Sequence, residues 1–134
     1  MDNELVPLQD TDRTVAEDDD IRGRTVRDAD GEDVGKVEGL LIDTTENKVR
    51  FLVVASGGFL GLGEHKSYIP VDAVTGVDDD EVRVDQSREH LAGAPGYDPE
   101  LINDREYNES VLGYYGYTPF WAAGYVYPAF PYYR

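Results

Sequence analysis

Hydrophobic and polar positions along the chain fall into short runs, and the densest of them lies between Val34 and Ser56. There VGKVEGLLIDTTENKVRFLVVAS sets apolar segments on either side of Asp43-Thr44-Thr45-Glu46-Asn47-Lys48. Val, Leu and Ile favour strands and the polar residues between them favour turns, so the stretch predicts one long β-hairpin turning near Glu46 and Asn47. On its first strand Val37, Gly39 and Leu41 share one face and Leu40 and Ile42 the other. On its second, Val49, Phe51 and Val53 oppose Leu52 and Val54. Both faces turn apolar in the middle, which a half-exposed strand does not do. The pattern predicts burial on both sides, or a bulge at Gly39 that resets the alternation.

Shorter elements flank this hairpin. Gly23 to Asp28 reads as a short strand, and Asp28-Ala29-Asp30-Gly31-Glu32-Asp33 as a turn whose Asp-Gly pair is a hairpin signal. Ser56 to Lys66 reads as a glycine-rich hairpin loop whose Phe59, Leu60 and Leu62 fold back on the sheet. Ser67 to Val71 is a strand ending at Pro70, Asp72 to Val74 a turn, Asp78 to Asp80 a solvated turn, and Glu81 to Asp85 alternates cleanly as the last strand. Ahead of these, Met1 to Asp20 carries eight acidic residues against Arg13 alone. Its composition predicts a flexible acidic leader. Leu5, Val6 and Leu8 offer a short docking strand as the alternative, confined to a sheet edge by Pro7. Behind them, Asp98-Pro99-Glu100 carries an N-cap, a first-turn proline and an early acid, and predicts a helix from Pro99 to about Leu112 with a possible break at Asn103-Asp104. From Gly113 the prolines at 119, 128 and 131 predict an extended aromatic ribbon. Nine of the ten tyrosines lie from Tyr97 onward.

The chain therefore divides into a leader (1–20), a β domain (21–91), a linker with a short helix (92–112) and a ribbon (113–134). At 134 residues it has room for one small domain plus tails. The formal charge of −16 argues against nucleic-acid backbone binding and against an anionic membrane surface. It fits solubility or a salty cytoplasm, with a basic partner as the alternative. No run approaches the length of a membrane span, no signal-peptide pattern opens the chain, and cysteine is absent, so the expected location is the cytoplasm.

Candidate chemistry is sparse. Asp28, Asp30 and Asp33 set several carboxylates at short spacing, as a hard cation such as calcium wants, but Gly39 stands where the bidentate Glu of an EF-hand loop belongs and no helix flanks the loop, so a structural turn is expected and no metal. The glycines after Ser56 lack the Lys-Ser/Thr of a phosphate-binding loop. His65 and His90 read as surface residues, and Asn108-Glu109-Ser110 as a chance glycosylation sequon. No catalytic residue and no cofactor are expected.

The order Gly23-x-x-Val26, Asp30-Gly31-Glu32-x-x-Gly35-x-Val37, Leu41-Ile42-Asp43, Phe51-Leu52-Val53-Val54, the glycine-rich Gly57 to Gly63, Tyr68-Ile69-Pro70 and a closing Val82-x-Val84 resembles the PRC-barrel family. That family includes the cytoplasmic domain of the photosynthetic reaction-centre H subunit and the C-terminal domain of the ribosome maturation factor. The resemblance spans about Ile21 to Leu91. It implies a mainly β fold, a small antiparallel barrel, acting as a non-enzymatic protein-binding module, often dimeric, with no catalytic residues to carry over. Neither an anchor like the first protein's nor a partner domain like the second's is expected, so neither specific role is expected to carry over.

A barrel of this kind buries Val37, Leu41, Phe51 and Val53 inside and leaves Leu40, Ile42, Leu52 and Val54 facing outward as an adhesive patch. The ribbon supplies a complementary surface in Tyr114, Tyr115, Tyr117, Phe120, Trp121, Tyr125, Tyr127 and Phe130. These are the candidate interaction residues, with the ribbon expected on its own barrel, on a second copy in a homo-oligomer, or on another protein. The alternatives are a self-assembling structural protein, an RNA-processing or ribosome-maturation factor, and a metal-dependent enzyme.

Overall fold

The computed structural model describes residues 4–7, 21–44, 48–55 and 66–127. The expected loop at Ser56 to His65, the hairpin tip, the rest of the leader and Phe130 lie outside them.

Strand β3 (Asp33–Asp43) is the hub, because it is long enough to take three neighbours. It pairs with β4 (Lys48–Ala55) along its length, with β2 (Thr25–Arg27) at its start and with β1 (Leu5–Pro7) at its end. Strand β5 (Lys66–Pro70) extends the sheet beyond β4, and β6 (Val74–Val77) and β7 (Glu81–Val84) extend it beyond β2. A single 3-10 turn, Val71–Ala73, leads from β5 into β6. The fold is mainly β and barrel-like, as the sequence predicts. It departs from the expected all-antiparallel barrel at β2–β7, a parallel pair, and the order β5-β4-β3-β2-β7-β6 does not close into a hydrogen-bonded ring among the described residues.

Both readings of the central hairpin hold together. Val37 faces Val54 while Gly39 faces Val53, so Glu38 is an extra residue on β3; Leu41 faces Phe51 while Ile42 faces Val49, so Arg50 is extra on β4. Each bulge resets the alternation. Partners across a ladder share a face, which groups Leu41, Phe51, Val53, Tyr68 and Pro70 on one side, and Val37, Leu40, Leu52, Val54 and Ile69 on the other. The first bulge thus carries Val37 to the face of Leu40.

The outward patch expected on this hairpin is a buried surface instead. Leu40, Ile42 and Leu52 are 0% exposed and Val54 1%, in the same core cluster as Val26, Val74, Val77, Val82 and Val84. The curl of the sheet covers that face. The opposite face, with Phe51 and Tyr68, is the one that meets the C-terminal elements.

Two helices follow the sheet. α1 (Arg88–Ala92) is capped by Ser87, whose Oγ accepts from the His90 amide at 3.1 Å. α2 (Arg105–Tyr115) begins later than predicted and runs past Leu112. Asp98 is taken up in a turn, accepting from the Glu100 amide, and the helix starts at Asp104, which accepts from the Tyr107 amide at 2.9 Å. The helix ends at Gly116, whose φ of 85° suits a residue without Cβ.

Two of the outer strands, β1 and β5, are also met along their free edges. Leu5 is 1% exposed, so the docking-strand reading of the first residues describes β1. Its outer edge is met by the Asn103 side chain, which accepts from the Leu5 amide at 2.7 Å and donates to the Leu5 carbonyl at 3.1 Å. The outer edge of β5 is met by a bridge from Ser67 to Gly96 and by the Tyr97 amide, which donates to the Lys66 carbonyl.

Candidate functional site

The bulge at Arg50 sets the candidate site. It places a guanidinium inside an apolar strand, where its side chain is 3% exposed and forms a salt bridge to Asp43, itself 0% exposed. Arg50 Nε and Nη2 both donate to Asp43 Oδ2, at 3.1 and 2.9 Å. Charges out of water persist only when paired and hydrogen-bonded.

Three aromatic rings from beyond α2 complete the enclosure. The Arg50 guanidinium lies 4.7 Å from the Phe120 centroid, 5.4 Å from Tyr127 and 5.8 Å from Tyr125. All are within cation–π range. Phe120 also stands edge-on to Phe51, with centroids 6.3 Å apart, and Lys48 Nζ lies 4.8 Å over the Tyr127 ring. The hydroxyls point to acceptors on the sheet. Tyr127 donates to the Val49 carbonyl at 3.1 Å, Tyr125 to Asp72 Oδ2 at 2.8 Å, and Tyr117 to Asp85 Oδ2. Burial pushes the Asp72 carboxyl above its ordinary value, against the opposing pull of the Tyr125 hydrogen bond. Burial, with the neighbouring Asp72 charge, likewise pushes the Tyr125 phenol up.

A second aromatic group lies on the same face. Tyr68 stacks on Phe51 at 4.1 Å and contacts Tyr97 and Tyr107 at 5.8 and 6.3 Å. Its hydroxyl donates to Asn108 Oδ1, while Asn108 Nδ2 donates to the Ile102 carbonyl. The sequon asparagine is therefore a buried structural amide with both ends engaged.

The predicted interaction residues separate into three sets. Leu40, Ile42, Leu52 and Val54 are core. Tyr114 and Tyr115 belong to α2: Tyr114 stacks on His90 at 4.2 Å and donates to the His90 carbonyl, and His90 Nε2 donates to the Tyr114 carbonyl. His90 is thus half-buried and engaged, not a plain surface residue. Tyr117, Phe120, Tyr125 and Tyr127 meet the sheet and the turns at its ends, and Trp121 lies against Arg105 at 4.5 Å.

The sequence reading missed Arg50, Asp72 and Asn103. A lone Arg inside Val49 to Val54 was the available signal. Asp28, offered as a calcium ligand, accepts the backbone amides of Asp30, Glu32 and Arg88 beside a cavity of about 390 Å³. Asp33 accepts from the Gly35 amide. Among the described residues no helix is long and apolar enough to cross a membrane.

Such a site can hold an aromatic, hydroxyl-bearing peptide segment by ring faces on a buried cation and by phenol donors on carboxylate and carbonyl acceptors. No curated protein matches the chain. A family model of the PRC-barrel domain matches residues 13–91, more than half of the chain. The strand order, the doubly buried hairpin and this match agree, and the chain belongs to the PRC-barrel domain family.

Proposed function

We propose that this protein is a non-catalytic protein-interaction module of the cytoplasm, in which the aromatic segment from Tyr117 to Tyr127 completes the barrel by covering the Arg50 face of its own sheet. The observation that carries the reading is the set of three rings around the buried Arg50–Asp43 pair. Ring faces over a desolvated cation contribute from about 0.5 to 2 kcal/mol each. That is enough to hold a short segment in place and little enough to let it go. The acidic surface, with a net charge of −16, favours protein partners over nucleic acid.

The test is affinity capture from native lysate with the full chain and with a Phe120→Ala/Tyr127→Phe variant. A discrete protein partner whose recovery differs between the two is expected. Recovery of RNA that falls steeply with salt, or substrate turnover by the purified chain, would overturn the reading.

A further inference from the structure

The bulge at Glu38 opens a hollow beside the covered face. Leu41, Phe51, Val53 and Tyr68 share that face, and the rings of Phe120, Tyr97 and Tyr107 close it over Phe51 and Tyr68. Next to Tyr97 a cavity of about 250 Å³ is left against Leu41 and Val53, with Pro7 at the end of β1 also on its lining. Leu41 and Val53 are recessed in it, at 1% and 4% exposed. Because Glu38 is the extra residue of the bulge, Gly39 faces Val53 and puts no side chain beside it. Neither backbone nor packing asks for a glycine there. Its φ lies outside the left-handed region, and among the described residues a Cβ on it would meet only the Val53 Cβ, at 3.9 Å. What the missing side chain leaves is the space itself.

Charge marks the mouth of the hollow. Glu38 Oε1 and Lys66 Nζ lie 3.0 Å apart, with 46% and 41% of their side chains exposed. Burial pushes the Tyr97 phenol up; Lys66 opposes this, and Glu38 and Asp98 add to it. Two carboxylates therefore stand with one ammonium around Tyr97, on a chain whose net charge is −16. The volume falls below the roughly 300–1,000 Å³ of clefts that enclose a small-molecule ligand, and suits one large side chain.

We propose that this hollow is a docking pocket for a single large apolar side chain of a partner protein, presented on a segment where Lys or Arg flanks it. This rests on the reading of the protein as an interaction module and names where its partner anchors. The apolar side chain removes water from Leu41 and Val53, as a buried anchor does at an interface. The flanking cation meets the excess carboxylate at the mouth, which steers the partner in and rejects acidic segments. A second copy of this chain carries the same negative charge and is a poor occupant.

The experiment titrates the full-length, methyl-labelled protein with capped tripeptides, Lys-Xaa-Lys and Glu-Xaa-Glu with Xaa as Leu, Phe or Ala, and follows the Leu41 and Val53 methyl resonances. The Lys-flanked Leu and Phe peptides are expected to bind with a Kd of about 1 mM or tighter, roughly tenfold better than Lys-Ala-Lys or any Glu-flanked form, and to weaken with added salt. Gly39→Leu, which fills the hollow from within, is expected to abolish the shifts. Glu38→Lys, which leaves the hollow open and reverses its mouth, is expected to move the preference to the Glu-flanked peptides. No shift at about 10 mM peptide, equal shifts from the Ala and Phe peptides, or a charge preference untouched by Glu38→Lys would overturn the pocket. So would a dimer that Gly39→Leu dissolves, or contacts in the free protein between the Val53 methyls and residues 8–20, since either fills the hollow with this chain. A lysate partner captured equally by the wild type and by Gly39→Leu would overturn the hollow as the anchor while leaving the interaction module standing.

Discussion

Arg50 sits inside the run from Val49 to Val54 with 3% of its side chain exposed, and Asp43 makes that position tolerable. Removing one member of a buried pair strands the other charge, so Arg50→Ala is expected to lower stability by about 3–5 kcal/mol in denaturant melts. Arg50→Met with Asp43→Leu, which removes both charges and keeps the volume, is expected to recover most of that loss. Asp72 carries the pH dependence of the site. Its pKa is raised in the folded protein by burial, so the folded state holds that proton more tightly than the unfolded chain. The stabilisation this gives is fully present below the ordinary value of 3.8 and is lost as pH rises through the raised value. Asp72→Asn, which keeps an oxygen for the Tyr125 hydroxyl, is therefore expected to match or exceed wild-type stability at neutral pH and to lose that advantage on acidification. None of this was legible from alternation alone. The extra residue on β4 decides where Arg50 points, and a bulge is set by the pairing of two strands, not by either one.

At the scale of elements, the hairpin and the strands around it follow from local composition, because β-branched runs between turn residues leave few other options. The helix was legible only in part. Asp98 and Asp104 are equally good caps in sequence, and the choice falls to Asp104 because Asn103 is needed at Leu5 and Asp98 closes a turn. Strand β1 was hidden by its acidic surroundings. It gains its place from Leu5 in the core and from a side-chain amide standing in for a neighbouring strand. Asn103→Ala is expected to cost about 1–3 kcal/mol and to speed hydrogen exchange at the Leu5 amide ahead of the rest of the sheet. Asp104→Ala is expected to cost about 1 kcal/mol through the lost cap, with exchange rising first at Tyr107.

Across the whole molecule, the tyrosines link the sheet, α2 and the C-terminal segment into one body. Burial pushes the phenols of Tyr68, Tyr115, Tyr117 and Tyr125 above the ordinary value of 10.0. The unfolded chain ionises first, so the stability these groups carry is present below pH 10.0 and declines as pH rises beyond it toward the raised values. Alkaline titration by phenolate absorbance is expected to show a late group of tyrosines that ionises together with unfolding. The inside-out expectation for Leu40, Ile42, Leu52 and Val54 belongs to this scale as well: with both hairpin faces apolar, only the positions of the other elements decide which face is the barrel interior. The most direct measurement is of nuclear Overhauser contacts between the rings of Phe120, Tyr125 and Tyr127 and the side chains of Arg50 and Phe51, in labelled chain diluted into an excess of unlabelled chain so that only contacts within one molecule register. Contacts from all three rings at low protein concentration are expected. Their absence, with random-coil shifts from Tyr117 to Tyr127, would contradict a barrel covered by its own aromatic segment.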